Sequence, residues 1–173
     1  MAKTLIAFFS RADENYFGGS YRYVDVGNTE IAVNLIKDMI DADVFKIEMK
    51  RPYSKVYNTC IEEAQKDLRN NARPEIDDFG FDTSSYDTVI LGYPNYWGTV
   101  PMAVMTFLDN VDMAGKRILS LCTNEGSGMG RSEKDIKAAC PNSEITKGLP
   151  INGSRVSGSG NEIRRWLETN GLL

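Results

Sequence analysis

The stretch "DTVILGYPNYWGTVP", residues 87–101, joins a short apolar run to a loop and then to a helix start. Within residues 87–93, the polar residues Asp87 and Thr88 are followed by a continuous apolar run. Such a run is typical of a strand buried on both faces of a parallel sheet. Pro94 ends this run. Pro101 suits the first turn of a helix whose apolar face includes Phe107. The stretch therefore predicts one strand–loop–helix unit.

The same alternation of apolar runs and helix-period segments continues along the whole chain. Four further strands are predicted at residues 4–9, 42–49, 116–122 and 143–151. Helices are predicted to begin near Asn28, Tyr57, Pro101, Arg131 and Gly160. Five strand–helix repeats with short connections predict an α/β fold in one domain spanning residues 1–173. Its doubly wound, five-stranded parallel sheet should carry helices on both faces.

The composition excludes several classes of protein. The net charge of −4 argues against a nucleic-acid binder, which would show a basic patch. The chain has no histidine, which excludes Ser-His hydrolases, Cys-His proteases and His-ligated metals. Cys60, Cys122 and Cys140 form no CxxC pair, as expected for reduced thiols. Residues 4–9 are too short for a signal-peptide core and no run approaches a membrane span, so we expect a cytoplasmic protein without membrane insertion.

Three loops should meet at one edge of this sheet, because the carboxyl ends of parallel strands lie together. They are residues 10–30 after the first strand, 94–101 after the third and 123–132 after the fourth. All three are rich in glycine, hydroxyl or amide side chains. In open parallel sheets this edge is where ligands bind.

The first loop has the features of a phosphate site. Gly27 precedes a helix start, and Ser10 and Thr29 supply hydroxyl groups close to free backbone N–H groups. The alternative is that Asn28 or Thr29 only caps the helix and Gly27 only turns the chain. Taken alone, this loop favours the capping interpretation, because such caps are common.

The loop after the third strand carries two large aromatic residues, Tyr96 and Trp97, followed by Gly98. An aromatic ring at this edge could stack on a flat heterocycle, and Gly98 would let the backbone approach that ring. Alternatively, Trp97 packs on a neighbouring loop or at a subunit interface.

The loop after the fourth strand, "TNEGSGMGRS" at 123–132, matches no established catalytic motif. Glu125 stands where the first glycine of a Walker loop would be, and Arg131 replaces its lysine. A nucleophile elbow needs a glycine two residues away on each side of the serine, and Ser127 has Glu125 and Met129 at those positions. What remains is a polar loop whose N–H groups could bind the carbonyls and nitrogens of a heterocycle.

With these three loops, the sequence resembles the flavodoxin-like family over nearly its whole length. The motifs that carry the resemblance are Ser10, "GNTE" at 27–30, "YPNYWGTVP" at 93–101 and "TNEGSGMGRS". The resemblance implies strand order 2-1-3-4-5 and a non-covalently bound FMN. It implies that the first loop holds the phosphate, while the other two loops face the isoalloxazine ring. The implied FMN-binding residues are Ser10, Arg11, Ala12, Gly27, Asn28, Thr29, Pro94, Asn95, Tyr96, Trp97, Gly98, Thr123, Asn124, Glu125, Gly126, Ser127 and Gly128.

Residues 13–26 depart from the family pattern by splitting the compact phosphate loop. The tyrosines and Phe17 in this insert could shield the cofactor, pack on the body of the protein or contact a second subunit. The charge of −4 is also milder than that of acidic electron-carrying flavodoxins.

The resemblance implies an FMN-dependent redox protein that transfers electrons to a redox partner protein or to a small quinone-like acceptor. An NAD(P)H-dependent quinone or flavin reductase, in the form of a homodimer, is the alternative on the same fold. A non-flavin receiver module would need carboxylates after the first and third strands, where the chain has Ser10 and Pro94.

Overall fold

A parallel β-sheet with helices on both faces forms the centre of the computed structural model, which describes residues 3–80 and 82–173. The strands are β1 Lys3–Phe8, β2 Asp13–Phe17, β3 Ser20–Val24, β4 Asp43–Lys46, β5 Tyr86–Pro94, β6 Arg117–Asn124, β7 Glu144–Ile145 and β8 Leu149–Asn152. The helices are α1 Asn28–Lys37, α2 Tyr57–Arg69, α3 Met102–Asn110, α4 Ser132–Ala139 and α5 Gly160–Thr169. Short 3-10 helices span Thr83–Ser85 and Gly153–Gly158.

The main sheet has the order β4-β1-β5-β6-β7, and β8 pairs with β6 beyond the end of β7. All of these pairings are parallel. The order is equivalent to 2-1-3-4-5, so the predicted fold class and the implied strand order are both confirmed. Since the strands run in one direction, the chain leaves β1, β5 and β6 at the same edge.

Alternate residues of the central strand β1 pack into two separate hydrophobic layers, one on each face of the sheet. In β1, Leu5 and Ala7 belong to the layer under α3, whereas Ile6 and Phe8 face α1 and α5. This alternation follows from the period of two along a strand. Burial of both faces explains why the central strands read as continuous apolar runs. None of the helices in the described ranges is long and apolar enough to cross a membrane.

The last predicted strand, 143–151, is interrupted in the structure. It forms the two short strands β7 and β8, and the Lys147 carbonyl accepts a hydrogen bond from the Trp166 indole instead of extending the ladder. Gly148 passes so close to β6 that a Cβ there would lie 2.9 Å from the Ser120 carbonyl oxygen. This close approach leaves no room for a side chain at position 148. The second predicted strand, 42–49, is also shorter than expected: β4 spans Asp43–Lys46.

The insert at 13–26 is a β-hairpin outside the main sheet. Its strands β2 and β3 pair antiparallel through a turn at Gly18 and Gly19, both of which have positive φ. The hairpin packs on α2, where the rings of Tyr16 and Tyr21 lie 6.1 and 5.4 Å from that of Tyr57. Of the three roles considered for the insert, packing on the body of the protein is observed.

Candidate functional site

Two adjoining cavities open at the sheet edge where β1, β5 and β6 end. The first has a volume of about 210 Å³ and a mainly polar lining that includes the start of α1. The second has a volume of about 330 Å³ and a mainly apolar lining. They share Arg11, Asn15, Tyr57, Asn95, Tyr96 and Ser127. A ligand with one polar end and one flat apolar end would therefore match the shape of the combined cleft.

The structure brings thirteen of the seventeen predicted site residues to these two cavities. Those thirteen are Ser10, Arg11, Asn28, Thr29, Pro94, Asn95, Tyr96, Trp97, Gly98, Thr123, Asn124, Glu125 and Ser127. Gly27, Gly126 and Gly128 do not line either cavity, and Ala12 lines a separate cleft that shares Ser10 and Arg11 with the polar cavity. The three glycines still shape the loops, as their contacts show.

The start of α1 is held by contacts from the preceding loop. A Cβ on Gly27 would lie 2.3 Å from Ser10 Oγ and 2.5 Å from the Arg11 carbonyl oxygen, so only glycine fits there. Ser10 Oγ accepts a hydrogen bond of 3.1 Å from the Glu30 amide. The prediction that Asn28 or Thr29 caps the helix is wrong, because Gly27 is the N-cap residue and no side chain of the helix caps it. The Ser10 hydroxyl thus accepts a hydrogen bond from one of the N–H groups of the first turn that have no acceptor within the helix.

Thr29 and Thr123 connect the first and third of the predicted loops. Their hydroxyl oxygens are 2.8 Å apart, and both side chains are buried. Asn124 supports the same corner by donating to the Ile151 carbonyl and accepting from the Gly126 amide. The polar cavity therefore has a floor of hydroxyl and amide groups around a positive helix end, which suits an anion.

A carboxylate also borders the polar cavity. Glu125 accepts hydrogen bonds of 2.9 and 2.8 Å from Ser154 Oγ. A Cβ on the neighbouring Gly153 would lie 2.4 Å from Asn28 Nδ2, so the 3-10 helix packs directly against the start of α1. Glu125 thus secures the cavity wall, and its negative charge opposes any anion that binds there.

Trp97 lies in a strained two-residue turn at the rim of the apolar cavity. Tyr96 and Thr99 exchange backbone hydrogen bonds of 2.9 and 3.2 Å across the turn, and φ is 55° at Trp97 and 85° at Gly98. Two successive positive φ values are those of a type I′ turn, which disfavours a bulky residue at its first central position. The Trp97 indole donates a hydrogen bond of 2.8 Å to the Ile61 carbonyl of α2 and stays 47% exposed. The ring is therefore fixed at the mouth of the cavity.

The loops after β5 and β6 are joined by hydrogen bonds of the Asn95 side chain and of backbone groups. Asn95 Nδ2 donates to the Gly128 carbonyl at 2.9 Å, and the Gly98 amide donates to Asn95 Oδ1 at 2.8 Å. The Arg131 amide donates to the Gly98 carbonyl at 2.8 Å. A Cβ on Gly130 would lie 2.2 Å from that carbonyl oxygen, so the approach requires glycine. These contacts make the two loops one rigid wall.

Helix α2 supplies a wall of the cleft that the sequence analysis missed. Tyr57, Cys60, Ile61 and Ala64 line the apolar cavity. From the hairpin, Asn15 lines both cavities and Tyr16 lines the polar one. The helical spacing of Tyr57, Ile61 and Ala64 could have indicated this face, but the same spacing is typical of ordinary core packing. Burial raises the pKa of the Cys60 thiol, so it remains neutral at pH 7.

Tyr96 is directed inward rather than toward solvent. Its ring packs edge-on against Phe9, with the ring centroids 5.8 Å apart. Burial raises the pKa of Tyr96 well above its ordinary value. The residues around the apolar cavity are therefore uncharged except for Arg11, whose contacts are described below.

The chain matches the family model described as Flavodoxin over residues 18–170. No curated protein matches the chain. The chain is similar to two solved structures named "putative flavoprotein", from Bacteroides uniformis ATCC 8492 and Bacteroides eggerthii DSM 20697. Each is 23% identical, with TM-scores of 0.78 and 0.77, and the similarity covers 96% and 98% of this chain and 98% of each of theirs.

A flavoprotein from Lactobacillus acidophilus NCFM, solved in complex with FMN, is 17% identical and gives a TM-score of 0.66 over 91% of this chain and 98% of its own. At these identities the structural likeness shows the shared fold. The family model covers most of the sequence, so the resemblance seen in the loops is confirmed. The chain belongs to the flavodoxin family.

Proposed function

We propose that this protein binds FMN non-covalently in the cleft formed by the two cavities and transfers electrons through it. The observation that carries the proposal is the continuity of a polar cavity at a helix start with an apolar cavity bordered by aromatic rings. The first suits a phosphate and the second suits a flat heterocycle. FMN carries these two groups at its opposite ends.

The residues of the polar cavity fit a phosphate group. The amides of Asn28 and Thr29 lie in the first turn of α1, where they have no intrahelical acceptor, and no other described residue accepts from them. The hydroxyl of Ser10 is adjacent and remains able to donate, since it accepts from the Glu30 amide. Charge-assisted hydrogen bonds of this kind are worth about 1.5–3 kcal/mol each.

The apolar cavity fits the ring, and its residues bind, orient and exclude water. Ile61 and Ala64 supply hydrocarbon surface, while Tyr57 and Trp97 supply aromatic surface. The backbone of Asn95–Gly98 is held rigidly by the loop contacts described above and would meet the polar edge of the ring. Bound flavin supplies the electron-transfer chemistry, and the protein supplies binding and electrostatics.

An equilibrium titration with FMN and riboflavin tests the proposal. Purified apoprotein should bind about one FMN per chain and quench most of the flavin fluorescence. Riboflavin lacks the phosphate, so it should bind at least about tenfold more weakly. Thr29→Ala should reduce the difference between the affinities for FMN and riboflavin. It removes the hydroxyl that lies beside the helix start and bonds Thr123.

Thr169→Ala is the matched control, since Thr169 is exposed on α5 and bonds only the Arg165 carbonyl. It should leave both flavin affinities unchanged. Absence of FMN binding at micromolar protein would refute the proposed function. Equal affinities for FMN and riboflavin would refute only the phosphate placement.

A second candidate function, an NAD(P)H-dependent quinone or flavin reductase, is favoured by exposed aromatic rings close to the cleft. Trp97 lines the apolar cavity and is 47% exposed, and Tyr21, which packs on the cavity-lining Tyr57, is 53% exposed. Both rings offer flat surface to a second planar molecule such as a nicotinamide or a quinone. Anaerobic mixing of FMN-loaded protein with NADH or NADPH separates the two functions. Rapid bleaching of the flavin absorbance supports the reductase, and no bleaching supports a carrier that receives electrons from a partner protein.

A further inference from the structure

Arg11 holds a positive charge at the junction of the two cavities without a carboxylate partner. Its Nη2 donates to the carbonyl oxygens of Ser54 and Lys55 at 2.8 and 2.9 Å. Its Nη1 donates to the Glu14 carbonyl and lies 3.5 Å from Asn15 Oδ1. Within residues 3–80 and 82–173 Arg11 forms no ion pair, and its buried Nε–H has no acceptor. Neutral oxygens thus hold the guanidinium in place without cancelling its charge.

The carboxylates of the surrounding segments are bound to other groups. Glu14 accepts from the Tyr57 amide at 2.9 Å, and Glu63 accepts from the Ser54 amide at 2.8 Å. Glu125, on the polar cavity, accepts from Ser154. Each of these three carboxylates therefore accepts from a donor other than Arg11. This arrangement keeps the cation available to a ligand.

The charge of Arg11 reaches the apolar cavity, which Arg11 lines. Burial raises the pKa of Tyr57, Cys60 and Tyr96, and in each case the guanidinium opposes that rise. All three side chains line the apolar cavity. A molecule bound there would experience the same positive potential.

We propose that Arg11 stabilises negative charge on the ring of bound FMN and thereby raises its reduction potential. This inference rests on the proposed function. Full reduction adds two electrons and one proton to the flavin ring and leaves it with one negative charge. Two opposite unit charges attract each other even about 10 Å apart. At an effective dielectric constant of about 20, this attraction shifts the equilibrium between oxidised and reduced flavin about tenfold toward the reduced, anionic form. For a two-electron couple, a tenfold change corresponds to about 30 mV.

The test is the two-electron midpoint potential of the FMN-loaded protein, measured by anaerobic dithionite titration against a dye of known potential. Arg11→Met removes the charge and should lower the potential by about 30 mV or more. Arg11→Lys keeps the charge but loses the fork of hydrogen bonds, so its potential should stay close to that of the wild type. An unchanged potential in Arg11→Met, or an equal drop in both variants, would overturn the inference.

Asn15→Asp provides a second route if Arg11→Met fails to fold or to bind FMN. Because Asn15 Oδ1 already lies beside the Arg11 guanidinium, a carboxylate there should pair with it and lower the potential in the same direction. Arg22→Met is the control, since it removes one positive charge from an exposed position on the same hairpin. Its potential should be unchanged, and a drop as large as that of Asn15→Asp would point to net charge and sink the proposal.

The outcomes also separate this inference from the proposed function. If the wild-type protein binds no FMN, both proposals fail. If FMN binds but its potential is insensitive to Arg11 and to Asn15, only the role of Arg11 is wrong.

Discussion

Trp97 combines strain, exposure and a fixed orientation in one residue. A bulky side chain at φ 55° costs about 1–2 kcal/mol relative to glycine, and the indole keeps only one hydrogen bond, to Ile61, in return. Strained residues of this kind persist where the surroundings hold them, and they cluster at binding sites. The position of Trp97 at the mouth of the apolar cavity agrees with that tendency.

We expect the strain and the binding role of Trp97 to separate in two variants. Trp97→Gly should be more stable than Trp97→Ala by about 1 kcal/mol, because glycine adopts positive φ without a steric penalty. Both variants should bind FMN more weakly, by roughly 0.5–1.5 kcal/mol beyond the lost contact area. Urea unfolding and FMN titration give the two quantities.

Trp166 is the internal control for this comparison. Trp166 is buried in the layer that contains α5, so Trp166→Ala should destabilise the fold by roughly 3–5 kcal/mol and leave FMN affinity in the folded fraction unchanged. If FMN affinity is the same in both Trp97 variants as in the wild type, Trp97 serves packing alone.

At the scale of elements, the hairpin and α2 complete the cleft. Three rings, Tyr16, Tyr21 and Tyr57, pack together between them, and Glu14 of the hairpin accepts from the first amide of α2. At the other end, the site of a Cβ on Gly18 is 3.9 Å from Ser154 Oγ. The hairpin thus reaches from α2 to the far wall of the polar cavity.

We predict that Tyr21→Ala loosens the hairpin without unfolding the domain. The substitution removes the ring contact with Tyr57 and the hydrogen bond from the Tyr21 hydroxyl to Asn58. Aromatic pairs are worth about 0.5–1.5 kcal/mol beyond their area, so amides of β2 and β3 should exchange hydrogen about 2- to 10-fold faster. Tyr23→Ala, on an exposed ring that bonds only Asp13, should change the exchange much less. Equal acceleration in both variants would contradict the packing role of Tyr21.

The elements also show how far the sequence could predict the site. Strand periodicity was sufficient to place the loops after β1, β5 and β6 at one edge, because a parallel sheet has a single carboxyl edge. It could not predict α2 as a cavity wall, since the spacing of Tyr57, Ile61 and Ala64 is the same for a core face. This role of α2 depends on tertiary packing, which local patterns do not contain. The hairpin did carry a local signal, because Gly18 and Gly19 separate two short runs rich in aromatic residues, but each of its strands is only five residues long.

At the scale of the whole molecule, buried thiol and phenol groups make the free energy of unfolding depend on pH in the alkaline range. Burial raises the pKa of Cys122 to about 12, from an ordinary value of 9.0, and also raises the pKa of Tyr93 and Tyr96. The folded state therefore keeps protons that the unfolded chain releases between about pH 9 and 12. By linkage, the free energy of unfolding is at its full value below pH 9 and falls as the pH rises through this window.

This effect should reach the candidate site through Cys122. Its Sγ lies 3.6 Å from the Gly128 carbonyl oxygen, which also accepts from Asn95, so a thiolate would repel the carbonyl that joins the two loops. We expect the urea midpoint to fall steadily from pH 9 to 11 and FMN affinity to fall with it. Cys122→Ala should flatten part of this dependence, because it removes one of the titrating groups. Tyr23→Phe should not, since the Tyr23 ring is largely exposed and its titration is screened by solvent. A midpoint that stays level from pH 8 to 11 would show that these buried groups release their protons as easily in the folded protein as in the unfolded chain.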